Sequence, residues 1–325
     1  MRAVVCKQLG GPEALAVEEV RAPALGPGEV RIAVHAAGLN FADTLIIQGK
    51  YQERPEPPFT PGMELAGVVA ECAGDVAGLA PGTRVLAMCG TGAFAEEAVV
   101  AADRVVAIPD SMTMVQAAGF PVAYGTSHLA LDHRGRLQAG EVLLVLGAAG
   151  GVGLTAVEIG KAMGAVVIAA ASSADKLAVA RERGADHLID YTAEDLRARV
   201  KDIAGGADVI FDPVGGDLFQ AALRCINWEG RMLVIGFASG TIPQIPANYL
   251  LVKNAAAVGV FWGAYRKNDP ARMMGSLDTL LGWFAAGRLR PHISHELPLD
   301  KAADAFALMI GRKSTGKVVL TTGRA

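Results

Sequence analysis

Val142-Leu143-Leu144-Val145-Leu146-Gly147-Ala148-Ala149-Gly150-Gly151-Val152-Gly153 decides the fold of this 325-residue chain. Its first five residues are apolar without interruption, which implies a strand buried on both faces of a parallel sheet. A glycine-rich turn follows directly. After it Val152, Ala156, Ile159 and Met163 fall on one helical stripe that stops at Gly164, a residue type suited to ending a helix. Toward the C-terminus the alternation repeats, with strands predicted at 166–169, 187–189, 209–211 and 232–235 and helices near 175–183, 194–203 and 218–226. Such alternation reads as an α/β, doubly wound sheet.

Toward the N-terminus the style differs. Up to about residue 118, short strands at 29–35, 65–71, 83–88, 96–100 and 104–108 are separated by Gly/Pro turns, a spacing that suggests a small β-barrel or sandwich. Past Val258-Gly259-Val260-Phe261 comes a helical stretch around 270–286, then a tail containing Lys317-Val318-Val319-Leu320. A lone strand needs a sheet to join, so the tail is predicted to return to the first domain. The length itself calls for about two domains.

The glycines sit between a strand and a helix, the context of a dinucleotide fingerprint. There they let the backbone turn tightly and approach a diphosphate, whose charge suits the amide groups at a helix start. Ala148 occupies the first position of the GxGxxG pattern, and Gly150 and Gly153 the second and third. An NAD site carries Asp or Glu about 20 residues further on to accept from the ribose 2′-hydroxyl. Here the stretch is Ala171-Ser172-Ser173-Ala174-Asp175-Lys176. Two hydroxyls and an ammonium suit a 2′-phosphate, which a carboxylate would repel, so NADPH is predicted over NADH. Asp175 reads as the N-cap or a first-turn acid of the next helix.

Bulk composition narrows the partners. Lys plus Arg number 30 and Asp plus Glu 33, a formal charge of −3 without long runs of one sign, which argues against nucleic acid or an anionic membrane as partner. Charged residues, Gly or Pro interrupt every long apolar stretch before it could span a bilayer. Lys7 arrives too early for a signal-peptide core, and a cytoplasmic location is the default expectation. Cys6, Cys72, Cys89 and Cys225 are scattered and read as small buried apolar residues rather than as disulfides or a zinc ribbon.

Several motifs in order give the chain a resemblance, nearly end to end, to the quinone oxidoreductase family of the medium-chain dehydrogenase/reductase superfamily. They are Ala36-Ala37-Gly38-Leu39-Asn40-Phe41-Ala42-Asp43-Thr44, Pro61-Gly62-Met63-Glu64-Leu65-Ala66-Gly67, Gly92-Ala93-Phe94-Ala95-Glu96, the 147–153 turn and Phe211-Asp212-Pro213-Val214-Gly215-Gly216. Ile235-Gly236-Phe237-Ala238-Ser239-Gly240 and Phe261-Trp262-Gly263 look closest to quinone oxidoreductase-like members. The resemblance implies a GroES-like β-barrel catalytic domain at 1–118, a doubly wound Rossmann domain binding NADPH at 119–261, and a return to the catalytic domain at 262–325. Zinc-dependent relatives carry a Gly-His-Glu motif and an earlier Cys. Met63 and Asn40 stand at or near those positions, which leaves fewer than the three protein ligands a catalytic zinc needs, and no metal is predicted. His292 and His295 form an HxxH pair without a third ligand and read as a solvated turn.

The same resemblance places Gly147, Ala148, Ala149, Gly150, Gly151, Val152, Val214, Gly236, Phe237, Ala238, Phe261 and Trp262 along the cofactor. Ser172, Ser173, Lys176, Tyr191 and Arg312 are placed near its 2′-phosphate. Tyr191 has a second reading as a surface aromatic, and Arg312 as part of an ordinary basic loop. Asn40 and Thr126 are candidates for both cofactor contact and catalysis; Asn40 alternatively caps a turn, and Thr126 alternatively begins the helix after Tyr124-Gly125. Tyr51 is a candidate proton donor or substrate-facing aromatic, with water as the other donor, and Asp43 either lies by the reacting groups or holds its loop. The expected reaction is hydride transfer from NADPH to a quinone. Reduction of an enone by an enoyl or alkenal reductase, and NADPH binding in a non-enzymatic, crystallin-like role, are the alternatives. The apolar stretch 255–261 at a sheet edge predicts a homodimer.

Overall fold

In the computed structural model, which describes residues 1–324, Val142–Leu146 is a strand whose last four residues are buried. It pairs in parallel with Val166–Ala171 on one side and with Ala207–Asp212 on the other. The full six-stranded sheet runs His187–Asp190, Val166–Ala171, Val142–Leu146, Ala207–Asp212, Ile226–Val234, Ala256–Gly259, and every pairing in it is parallel. Numbered by chain position the order is 3-2-1-4-5-6, so the direction of winding reverses between Val142–Leu146 and Ala207–Asp212. Ligands of such sheets bind outside the carboxyl ends of the strands at that reversal.

Helix Gly151–Ala162 buries every residue from Gly153 to Gly160, a wider face than the predicted stripe, and Val152 and Met163 are only partly covered. A Cβ at Gly160 would meet Leu143 Cδ2 at 2.5 Å, so this glycine lets the helix lie close on the first strand. The helix stops where the glycine signal placed its end, with Gly164 at φ +86°. The helix predicted at 218–226 is Gly216–Leu223, and Ile226 instead opens the strand Ile226–Val234. That strand was legible only from 232 because its register slips between the pairs Ala207–Ile226 and Val209–Arg231, with Glu229 at φ +59°. The slip takes Asn227, Trp228 and Glu229 out of simple alternation.

The other sheet has seven strands. Six follow the order Ile293–Pro298, Lys317–Thr321, Glu29–Leu39, Glu64–Cys72, Arg84–Met88, Val105–Ala107, and Glu97–Ala101 pairs with Glu29–Leu39. The tail does rejoin this sheet, antiparallel to Glu29–Leu39 with Val318 opposite Leu39 and Thr321 opposite Ala36. Val4, Ile32, Val34, Leu65, Phe94, Phe306 and Leu320 belong to its core. A hairpin of Arg2–Cys6 and Leu15–Glu19 and the strand Ile293–Pro298 were not predicted.

Contacts divide the chain otherwise than at 118 and 261. One unit comprises Met1–Val122 with Pro291–Ala325, the other Ala123–Arg290. Residues 262–290, expected with the returning tail, belong to the second unit because helix Pro270–Ala285 buries Met273, Leu277, Leu280 and Leu281. Its Ser276 Oγ lies 2.8 Å from His128 Nδ1, and Trp283 meets the same imidazole edge to face at 5.4 Å. Among the described residues, no helix is long and apolar enough to cross a membrane.

Candidate functional site

The glycine turn lies at the carboxyl end of Val142–Leu146. Gly147 takes φ +58°, a left-handed conformation that glycine adopts without strain, and its carbonyl accepts from Gly150 N at 2.9 Å. A Cβ on Gly153 would lie 2.2 Å from that carbonyl oxygen and 3.0 Å from Ala148 Cα, so only glycine lets the helix start this close to the turn. Gly150 is different. It is exposed, extended at φ −76° and ψ 175°, and a Cβ there would meet nothing nearer than Gly147 O at 3.4 Å. Gly150 is the N-cap of the helix and offers no side-chain cap, so the first helical amides face outward beside an open backbone. Such a cradle fits a diphosphate.

At the end of the next strand, Val166–Ala171, stand two hydroxyls and an ammonium. Lys176 Nζ donates to Ser172 Oγ at 3.2 Å. Ser173 is the N-cap of helix Ala174–Glu182, its hydroxyl accepting from Lys176 N at 3.4 Å. Asp175 lies exposed in that helix's first turn, the second of its two expected places, and Ser173 takes the N-cap. Tyr191, at the end of the third strand, donates from its backbone to Ala171 O at 3.2 Å and packs against the core of this unit. Ser172, Lys176 and Tyr191 are therefore gathered at two adjacent strand ends.

Across the reversal, the loop after Ala207–Asp212 is shaped by Asp212. This buried carboxylate accepts from Val214 N at 2.7 Å and Gly215 N at 2.9 Å, and burial raises its pKa. A Cβ at Gly147 would come within 3.0 Å of Val214 Cγ2, so Val214 flanks the glycine turn. The Gly236-Phe237-Ala238 loop lies over the same place, with Ala238 N donating to Pro213 O at 3.0 Å. Trp262 is buried, and its indole packs on Gly125, where a Cβ would come within 2.7 Å of Nε1. Phe261 is exposed. Thr126 is buried inside helix Pro121–His128 and does not begin it, because Pro121 supplies the start.

The first unit holds the remaining candidates. Asn40 is the N-cap of helix Phe41–Ile46, and its backbone N–H donates to Asp43 Oδ2 at 2.8 Å. Its amide is engaged on both sides: Nδ2 donates to Glu64 Oε1 at 2.8 Å, and Oδ1 accepts from Lys317 Nζ at 2.7 Å. Asp43 is fully buried, with Oδ1 unpartnered. Burial drives its pKa up to about 7, against the hydrogen bonds from Asn40 and Gly62 and the charge of Lys317. Tyr51 is half-buried beyond this helix, its carbonyl accepting from Arg54 Nε at 3.2 Å. Arg312 is exposed at φ +55° after helix Ala302–Ile310. His292 and His295 bond to Thr315 and Ser294 respectively.

Sequence reasoning did not single out Glu64 and Lys317. Both are buried, and Lys317 Nζ lies 2.7 Å from Glu64 Oε1. The available signal was a lysine opening the apolar run Val318-Val319-Leu320.

Residues 26–110 match the alcohol dehydrogenase GroES-like domain, and residues 151–279 match the zinc-binding dehydrogenase domain. A quinone oxidoreductase-like protein 2 homolog from Nematostella vectensis is 46% identical over 99% of this chain and 89% of its own. The chain belongs to the medium-chain dehydrogenase/reductase superfamily, among its quinone oxidoreductase-like members. Among solved structures, the Escherichia coli quinone oxidoreductase complexed with NADPH superposes with TM-score 0.91 at 28% identity, covering 99% of this chain and all of that one. A 2-haloacrylate reductase superposes with TM-score 0.86 at 30% identity, each chain covered completely. These matches make the first unit the GroES-like domain and the second the Rossmann domain of the superfamily.

Zinc, which one domain description names, does not suit the residues beside Glu64. That carboxylate already holds an ammonium at 2.7 Å, Met63 offers a thioether, and the amide of Asn40 is taken up by Glu64 and Lys317. Among the described residues, no group of three or more His, Cys, Asp or Glu side chains is arranged to hold a metal ion.

Proposed function

We propose that this oxidoreductase transfers hydride from NADPH to a quinone without a metal. The observation that carries this reading is the shared location of the uncapped glycine turn and the Ser172–Lys176 pair at the carboxyl ends of neighbouring parallel strands. Gly147 to Val152 would hold the diphosphate by backbone amides, and Ser172 and Lys176, helped by Tyr191, would hold the 2′-phosphate. The residues that follow Val166–Ala171 in the chain are Ser172, Ser173 and Ala174, with no carboxylate before Asp175 to repel it. Bound NADPH supplies the hydride from its nicotinamide. Val214, the Gly236-Phe237-Ala238 loop, Phe261 and Trp262 would wall the ring and keep water from it, with Thr126 among them. A conjugated acceptor spreads the incoming charge, so hydrogen-bond donors suffice where other enzymes use a Lewis acid. Asn40 is the donor assigned to the acceptor oxygen, with Tyr51 or water supplying the proton and Arg312 reinforcing the phosphate end.

A second reading, reduction of an activated carbon–carbon double bond, is favoured by the similarity to the 2-haloacrylate reductase. NADPH oxidation followed with a quinone and then an enone distinguishes the two. Turnover with the quinone at the higher kcat/KM supports the first reading, preference for the enone supports the second, and NADPH binding without either turnover overturns both. The edge strand Ala256–Gly259, with Leu251 and Val252 exposed just before it in the chain, supports a homodimer, to be checked by light scattering. The cytoplasm is the compartment we assign.

A further inference from the structure

The buried group around Glu64 joins four parts of the chain. Glu64 Oε1 receives Asn40 Nδ2 at 2.8 Å and Lys317 Nζ at 2.7 Å, while Oε2 receives Val122 N at 2.8 Å, the last residue of the first unit before the chain passes to the second. Lys317 Nζ completes three bonds with Asn40 Oδ1 at 2.7 Å and Leu39 O at 2.9 Å. The enclosure is tight: a Cβ at Gly38 would lie 2.3 Å from Ala118 O and 2.6 Å from Glu64 Oε1. One lysine thus uses all three of its N–H groups on fixed acceptors inside the protein.

This pattern dictates which way the Asn40 amide points. An asparagine amide can turn by 180°, exchanging a donor for an acceptor at nearly the same position. Here the ammonium can only donate and Glu64 can only accept, so Oδ1 must face Lys317 and one Nδ2 hydrogen must face Glu64. The second Nδ2 hydrogen has only Gly38 O, at 3.4 Å, within reach. It is the one polar hydrogen of Asn40 not committed to a short bond.

We propose that Lys317 is a positioning residue, which with Glu64 locks Asn40 as a hydrogen-bond donor toward the oxygen that gains negative charge during reduction. This rests on the reading of the chain as a reductase with Asn40 beside the acceptor. Without the ammonium Oδ1 loses its donor and only Glu64 still holds the amide; with both charges removed the amide is free to reverse and present Oδ1, which repels a developing oxyanion. Lys317 itself, buried behind Asn40, touches no substrate.

The test uses the full chain, with NADPH and whichever acceptor, quinone or enone, the wild type turns over. In Lys317→Met kcat is expected to fall, and in Lys317→Met/Glu64→Gln to fall about 10²-fold, the usual effect of losing one oxyanion donor, while the NADPH dissociation constant of both stays within about twofold of wild type. Glu64 is left as an unpaired buried charge in the single variant, and the double variant removes both charges together. A purely structural pair predicts that the double variant regains both thermal stability and kcat; the positioning role predicts that stability recovers while kcat stays low. Lys317→Arg keeps a donor toward Asn40 and should retain kcat within about tenfold of wild type. Full kcat in the double variant, or a folded Lys317→Arg as inactive as Lys317→Met, overturns the proposal and leaves the reductase reading intact. A wild type that binds NADPH but reduces neither acceptor overturns the reductase reading itself.

Discussion

Replacing Gly150 and Gly153 by alanine, one at a time, separates what the glycine turn does for the ligand from what it does for the fold. At Gly153 the new methyl would sit 2.2 Å from the carbonyl oxygen of Gly147 and 2.9 Å from its carbon. Both are backbone atoms and cannot swing away. Alanine gains about 1 kcal/mol over glycine in a helix, which is too little to offset an overpacking cost of about 1–3 kcal/mol or more against fixed backbone. Gly153→Ala is therefore expected to lower stability and to displace the Gly147 carbonyl that shapes the turn, losing NADPH binding with it. At Gly150 the backbone conformation suits any residue and the nearest atom is 3.4 Å away, an ordinary contact. The remaining cost is alanine's poorer fit at an N-cap, about 1 kcal/mol at most. The methyl would nonetheless stand where the diphosphate approaches, and at least a tenfold weaker NADPH affinity is expected, about 1.4 kcal/mol. The assay pairs urea unfolding with calorimetric titration for both variants. Wild-type affinity in a well-folded Gly150→Ala would refute the placement of the diphosphate, and a Gly153→Ala variant of undiminished stability would refute the packing argument.

Three further outcomes are open to measurement. Asp43 is held near pKa 7 in the folded protein against an ordinary value of 3.8, so the folded state binds its proton more tightly and stability falls as pH rises between those values, levelling off above the upper one. The difference corresponds to about 4 kcal/mol at most, and Asp43→Asn should remove it. Trp228, Trp262 and Trp283 all lie in the second unit, so tryptophan fluorescence does not report on this site. Hydrogen exchange of the helix Phe41–Ile46 at pH 5 and pH 8 does, and the same pH dependence in Asp43→Asn would reject the assignment. Lys176→Ala should weaken NADPH at least tenfold and leave NADH within about twofold, since only the former carries the 2′-phosphate; equal losses for both would remove Lys176 from that role. A carboxylate introduced on the edge strand, Ala257→Glu, is expected to convert a dimer to monomer by light scattering, and an unchanged mass would place the subunit contact elsewhere.

The parts of the fold legible in the sequence were those set by local pattern. The apolar run 142–146, its glycine turn and the alternation after it are each written within about 30 neighbouring residues, and a doubly wound sheet follows once those units are recognised, whereas its order 3-2-1-4-5-6 comes from the pairings of the structure. Gly164 ended its helix as its conformational freedom implied. Where pattern was broken, reading failed: the bulged start of Ile226–Val234 mixes Asn, Trp and Glu into a strand, and the predicted helix ran on into it. Nor does local composition tell which unit the helix Pro270–Ala285 packs on, because its apolar face suits any core.

The candidate site divides the same way. Ser172, Ser173 and Lys176 are near one another in sequence, and the structure keeps them together. Lys317 lies 277 residues from Asn40 and 253 from Glu64, and only the antiparallel register of the returning strand brings it to them. An isolated lysine before three apolar residues reads as a strand's exposed first position, which is why its burial was not foreseen. Asn40 was seen both as a turn cap and as a site residue, and its geometry serves the first while leaving one hydrogen for the second.

Calorimetric titration of the folded chain with NADPH, and separately with NADH, bears most directly on the role assigned to the 147–153 turn. Saturable heat at one nucleotide per chain, with NADPH binding at least tenfold more tightly than NADH, is the predicted result. No heat with either nucleotide would contradict a diphosphate cradle at the turn, and equal affinities would contradict the Ser172–Lys176 phosphate site.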